Sequence, residues 1–166
     1  MRLVIALDLE GTLISNAVSA FPRPGLRPFV ESALEVADRV VMFTTVRAER
    51  ARELLQLIEN ENCLPAGFAA AVEFVPYSGK TKDLSAVRET ASATVLLVDD
   101  QPSMVHPGQE ANWIPIAEFI PPFDQEDHEL ERVGKIIREI RDDIKFAGII
   151  NRRASETPVP INLDDL

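Results

Sequence analysis

The sequence predicts an α/β protein with a three-layer α/β/α arrangement, a parallel sheet carrying helices on both faces. Two observations predict it. Short, wholly apolar runs at 3–7, 40–43 and 95–98 read as strands buried on both sides, and stretches with helical apolar spacing alternate with them. Such alternation implies right-handed crossovers and a functional edge at the carboxyl ends of the strands.

The elements follow in order. Leu3 to Leu7 is the first strand, stopped by Asp8 and Glu10, which also argues against a signal peptide. A helix over 26–37 places Leu26, Phe29, Val30, Ala33, Leu34 and Ala37 at helical spacing after Pro24 and Gly25. Val40 to Phe43 is the second strand, and 48–60 is an amphipathic helix with Ala51, Leu54, Leu55 and Ile58 on one side. Ala70 to Val75 reads as a weaker strand and Asp83 to Glu89 as a short helix. Val95 to Val98 and Asn112 to Ile116 complete the strands, the last closed by Pro115. The longest helical pattern covers 126–147, with a stripe of Leu130, Val133, Ile137, Ile140, Ile144 and Ala147. That stripe suits packing on the sheet, and its near-heptad spacing also offers a homodimer surface. Residues 1–148 are expected to form one domain, and 149–166, with Pro158, Pro160 and several carboxylates, an extended or disordered tail.

The chain has 166 residues, 46% of them hydrophobic, which suits one domain around one core. No apolar run is long enough to cross a bilayer, and a cytoplasmic protein is expected. The single cysteine, Cys63, excludes an internal disulfide and reads as a structural thiol. The formal charge of -10 makes nucleic acid an unlikely partner and argues against anionic membrane surfaces.

The strand ends carry the chemistry. The first delivers Asp8-Leu9-Glu10-Gly11-Thr12, the second Thr44-Thr45 and the third Asp99-Asp100. Carboxylates from neighbouring strands suit Mg²⁺, a hard cation that prefers oxygen ligands. Hydroxyls and backbone N–H groups suit phosphate oxygens, and Gly11 permits close backbone approach. Any one strand end is explained equally well by turn and capping preferences; three together are not.

These motifs resemble the haloacid dehalogenase superfamily of phosphohydrolases. Asp8-Leu9-Glu10-Gly11-Thr12-Leu13 is similar to its first motif, Asp-x-Asp-x-Thr, with Glu10 in place of the second Asp. Val40-Val41-Met42-Phe43-Thr44 is similar to the second, a lysine forms the third, and Leu96-Leu97-Val98-Asp99-Asp100 is similar to the fourth. Arg23-Pro24-Gly25-Leu26, Lys82-Asp83-Leu84-Ser85 and Val98-Asp99-Asp100-Gln101-Pro102 most resemble the phosphatases related to the RNA polymerase C-terminal-domain phosphatases, the nuclear-LIM-interactor-interacting-factor type. The resemblance runs from about residue 3 to residue 140.

The resemblance implies a Rossmann-like fold and an Mg²⁺-dependent phosphomonoester hydrolase. In it Asp8 is the nucleophile that forms an aspartyl-phosphate, and Glu10 is the general acid and base. Thr44 donates to a phosphoryl oxygen, and Lys82 neutralises charge. The metal is held by Asp8, the main-chain carbonyl of Glu10 and Asp100, with Asp99 supporting from behind. Gly11, Thr12, Thr45 and Arg47 are expected at the substrate, although Arg47 serves equally well as a helix-start residue. Lys80 competes with Lys82, and the Lys-Asp-Leu-Ser match favours Lys82. His106 is expected to be structural, and Met42, Phe43 and Trp113 to be core. The gaps from Thr12 to Arg23 and from Thr45 to Lys82 are too short for a full cap domain, and the small β insert of the polymerase-tail phosphatases is missing. An open, capless site favours a phosphoserine or phosphothreonine in a protein. A phosphatase for small metabolites or nucleotide ends is the alternative, and a non-catalytic phosphate-binding or scaffolding module is the third reading.

Overall fold

The structure, a computed structural model, describes residues 1–88 and 93–155, with side-chain surroundings to residue 147. Among these residues one five-stranded parallel sheet forms, from β1 (Leu3–Leu7), β2 (Arg39–Met42), β3 (Glu73–Phe74), β4 (Thr94–Asp99) and β5 (Trp113–Pro115), in the order β3-β2-β1-β4-β5. Every residue of the central β1 is buried, which is why it reads as an unbroken apolar run. Leu7 pairs with both Met42 and Val98, so β1, β2 and β4 finish close to level. The residues that follow therefore emerge at one edge. β5 is shorter than expected, and Pro115, which has no N–H for the ladder, closes it.

The helices are α1 (Leu26–Val36), α2 (Ala48–Asn60), α3 (Phe68–Ala71) and α4 (Glu129–Ser155). Both sheet faces are covered, but unequally. Leu3, Ile5 and Leu7 point into a core shared with α1, α2, α3 and α4. Val4 and Ala6 point the other way, to Val75, Leu84 and Val87. Right-handed connections explain the difference. The chain steps from β1 to β2 to β3 in one direction, carrying α1 and α2 on one face, while the passages from β3 to β4 and from β4 to β5 run the other way and cover the second face with loops and 3₁₀ turns among the described residues. The passage from β3 to β4 contains Pro76 and Gly79, and its described part forms no more than a 3₁₀ turn at Leu84–Ala86 where a short helix was expected. Glu89 lies outside the described residues.

Two other expectations are corrected. The strand anticipated at Ala70 to Val75 is replaced by α3 followed by a two-residue β3. The Glu59 carboxylate, reaching over from α2, accepts from the backbone N–H groups of Gly67 and Ala69, both at 2.8 Å, and so caps the start of α3. The final helix begins at Glu129, whose N–H is accepted by Asp127 Oδ1 at 2.9 Å, and runs to Ser155. The boundary anticipated at 148 thus falls inside a helix, because nothing between Ile149 and Ser155 breaks one and the first proline is Pro158. Residues 156–166 lie outside the described residues. The stripe considered for homodimerisation is used within the chain: Leu130, Val133, Ile137 and Ile144 are buried in the core that includes α1. Among the described residues no helix is long and apolar enough to cross a membrane.

Candidate active site

Asp8 follows directly on β1, and its N–H donates to Val98 O of β4 at 3.0 Å, which fixes the residue at the sheet edge. Lys82 is brought to it from the thin layer on the other face. The lysine backbone is held by a hydrogen bond from Lys82 N to Met104 O at 2.7 Å. Its side chain is 1% exposed, with Nζ 2.6 Å from Asp8 Oδ1 and 2.5 Å from Asp99 Oδ2. Asp99 spends its other oxygen, Oδ1, on Gln101 N at 2.8 Å, so both its oxygens are engaged by protein. Burial pushes the Asp8 carboxyl up to about 6, against the opposing pull of the Lys82 ammonium, and the Asp99 charge adds to the rise. Lys80, the competing lysine, is exposed.

The loop after Asp8 shapes the second carboxylate. Gly11 has φ +71, and a Cβ there would stand 2.7 Å from Asp100 Oδ2. Thr12, expected at the phosphate, is instead fully buried, with its hydroxyl donating to Asp100 Oδ1 at 3.0 Å. The two residues form the cradle of Asp100. The other oxygen, Asp100 Oδ2, is buried without a hydrogen-bond partner, and burial raises the carboxyl's pKa. Oxygens of Asp8, Asp99 and Asp100 lie within 4.8 Å of one another. Since Asp99 is fully engaged, the oxygens left for a cation belong to Asp8 and Asp100. A buried, unpartnered carboxylate oxygen beside a second carboxylate fits Mg²⁺.

The remaining expected residues divide. Thr44 is buried just beyond β2, and its Oγ1 accepts from Val46 N at 3.2 Å, which leaves the hydroxyl proton available to donate elsewhere. Glu10 is half-buried; its Oε1 accepts from Ala17 N at 2.5 Å, so the longer side chain is steadied by its own loop. Thr45 and Arg47 are exposed, Arg47 preceding α2. His106 places its Nδ1 2.8 Å from Thr81 Oγ1, one residue from the lysine. Phe43 is core as expected, whereas the Trp113 indole N–H also donates to Asp99 O at 2.9 Å.

One residue next to the site was quoted from sequence only as part of the Arg23-Pro24-Gly25-Leu26 resemblance and was given no role. Arg23 is 2% exposed, pairs with Asp127 at 2.8 Å, and donates to the carbonyls of Gly11 and Thr12. Its sequence signal is the Arg23-Pro24-Gly25-Leu26 resemblance, which says nothing of what the side chain touches. Its partner lies far along the chain, where no local pattern can point to it.

A family model described as NLI interacting factor-like phosphatase matches residues 3–147. A curated relative, the mitochondrial import inner membrane translocase subunit TIM50 of Phytophthora infestans, is 28% identical over 134 residues, covering 77% of this chain and 32% of that protein. The chain thus spans about a third of that relative's length, 32%. The family match takes in all five strands and every residue of the carboxylate–lysine cluster, and on that extent the chain belongs to the NLI interacting factor-like phosphatase family.

Proposed function

We propose that the chain is an Mg²⁺-dependent phosphomonoester hydrolase that works through an aspartyl-phosphate on Asp8. The observation that carries this reading is a buried carboxylate, Asp8, held 2.6 Å from a buried ammonium beside the unpartnered oxygen of Asp100. Asp8, Asp100 and the main-chain carbonyl of Glu10 would hold the metal, which when bound supplies charge neutralisation between the nucleophile and the phosphoryl group.

The side chains then have separable tasks. One Asp8 carboxylate oxygen attacks phosphorus while the other stays with the cations, and the bond from phosphorus to the leaving oxygen breaks. Glu10 gives its proton to that oxygen. Lys82 balances the charge on Asp8, and the Thr44 hydroxyl donates to a phosphoryl oxygen. In the second half Glu10 takes a proton from water, the water oxygen attacks phosphorus, and inorganic phosphate leaves with Asp8 restored. The Ala17 N–H engages one Glu10 oxygen and leaves the other for the proton.

The segment between Thr12 and Arg23 folds back on itself, with Ser15 N–H bonded to Phe21 O and Arg23 N–H to Leu13 O, both at 3.0 Å, and is too short for a cap domain. That shortness supports a phosphoserine or phosphothreonine protein substrate over a small metabolite. A cytoplasmic location is part of this reading. A second reading, a phosphate-binding interaction module without turnover, draws on the longer Glu10 standing at the acid and base position and on a relative that is a subunit of a translocase.

The test is p-nitrophenyl phosphate hydrolysis with Mg²⁺, with EDTA and with Asp8→Asn. Turnover that requires both metal and Asp8 is expected. Folded, Mg²⁺-binding protein without turnover, on this ester and on phosphopeptides, would leave the interaction module as the function.

A further inference from the structure

We infer that the Arg23–Asp127 pair, its arginine buried and its carboxylate partly so, is a positioning device for the metal-binding carboxylate Asp100, acting through the Gly11–Thr12 segment; the inference rests on the Mg²⁺ site proposed above. The contacts form a continuous path. Asp127 accepts from Arg23 Nε at 3.1 Å and from Nη2 at 2.8 Å. Arg23 Nη1 reaches in the opposite direction, to Thr12 O at 3.2 Å and Gly11 O at 3.4 Å. Thr12 then donates to Asp100 Oδ1, and Oδ2 is the buried, unpartnered oxygen.

The guanidinium suits this task and a simpler group does not. Its rigid fork serves a carboxylate on one side and two carbonyls on the other, with the plane covered by Phe119, whose centroid is 5.3 Å from Cζ. Phe119 N also donates to Gly11 O at 2.8 Å, while Gly11 N donates to Ile14 O at 2.7 Å. Gly11 is therefore gripped at its N–H and its carbonyl. Its backbone is at φ +71, where a shift of a few tenths of an ångström alters its clearance from Asp100. A buried ion pair is by itself weak support for folding, because desolvation offsets most of the attraction. Groups that orient a metal ligand from behind typically govern metal affinity by about 10–100-fold.

The experiment is Mg²⁺ titration by calorimetry, with Mn²⁺ electron paramagnetic resonance as a second probe, on the full chain and on Asp127→Asn, Thr12→Val and their combination. Glu126→Gln, an exposed site, controls for the change of charge. Asp127→Asn is expected to weaken Mg²⁺ binding about 10-fold. Thr12→Val should do the same, and the double variant should lose no more than the larger single effect, since both interrupt one path. Glu126→Gln should bind as wild type does. Should Asp127→Asn fail to fold, Arg23→Lys makes the same test, because an ammonium cannot bridge both partners. Unchanged Mg²⁺ affinity in a folded variant of lowered melting temperature would make the pair structural and overturn the inference. A wild-type chain that takes up no Mg²⁺ in the same titration would overturn the metal reading beneath it.

Discussion

A β-carbon on Gly11 would stand 2.7 Å from Oδ2 of Asp100, closer than real contacts allow. Gly11→Ala is therefore predicted to fail twice, by pushing Asp100 aside and by placing alanine at φ +71. Turnover should fall at least about 100-fold, as expected when a reacting geometry is displaced by about an ångström. The backbone strain should cost on the order of 1–3 kcal/mol of stability. Steady-state kinetics and urea denaturation check the two effects independently.

Lys82 lies between two carboxylates, and removing it leaves both buried without their cation. Lys82→Met is predicted to destabilise the fold by roughly 3–5 kcal/mol, the usual result of breaking a buried ion pair from one side. Adding Asp99→Asn should recover part of that stability and none of the activity. Equal stability of Lys82→Met and wild type in urea would contradict the buried network.

The pH behaviour of Asp8 has a sign opposite to that of most surface carboxylates. Its folded value, about 6, lies above the ordinary 3.8, so the folded state holds the proton more tightly than the unfolded chain. The resulting stabilisation is complete below about pH 4 and is lost as pH rises through about 6. In EDTA, wild type should lose stability relative to Asp8→Asn between about pH 4 and about pH 7. Mg²⁺ should reverse the trend at the upper end, because it binds the charged carboxylate. A stability difference between the two proteins that is flat across this range would show that Asp8 titrates normally.

Glu10 carries the main departure from the family's first motif. Glu10→Gln keeps the backbone carbonyl assigned to the metal and removes the group that moves the proton. Turnover is predicted to drop by about 10²–10⁴-fold, with Mg²⁺ affinity retained. Glu10→Asp, shorter by roughly 1.5 Å, cannot hold the same contact with Ala17 N and should recover only part of the rate. Full activity in Glu10→Gln would take the residue out of the reaction.

Sequence patterns reported the elements whose burial is settled locally. β1 is apolar at every position because both its faces are covered, and α2 runs from Ala48 to Asn60 as its spacing predicts. Lys82 is preferred to Lys80 on the Lys-Asp-Leu-Ser match alone, since residues two apart on a strand share a face and alternation cannot separate them; in the fold Lys82 is buried and Lys80 exposed. Features that depend on distant partners were not legible. The start of α3 is fixed by Glu59 from another helix, which no pattern within 68–71 reveals. Thr12 looked like a phosphate ligand because its residue type suits one, but the carboxylate that claims its hydroxyl is 88 residues away. Arg23 and Asp127 meet across 104 residues, so periodicity could not pair them.

The unequal covering of the sheet has a consequence for how this molecule ages under heat. Lys82 rides on the thin layer, tied down by its N–H to Met104 O, by Leu84 N to Gln109 Oε1 at 2.8 Å and by the Thr81–His106 contact. If heat opens this layer before the helical face, the carboxylates of Asp8 and Asp99 lose their shared counterion. Activity is then expected to disappear at a lower temperature than the fold itself, and the lysine is a latch as well as a counterion.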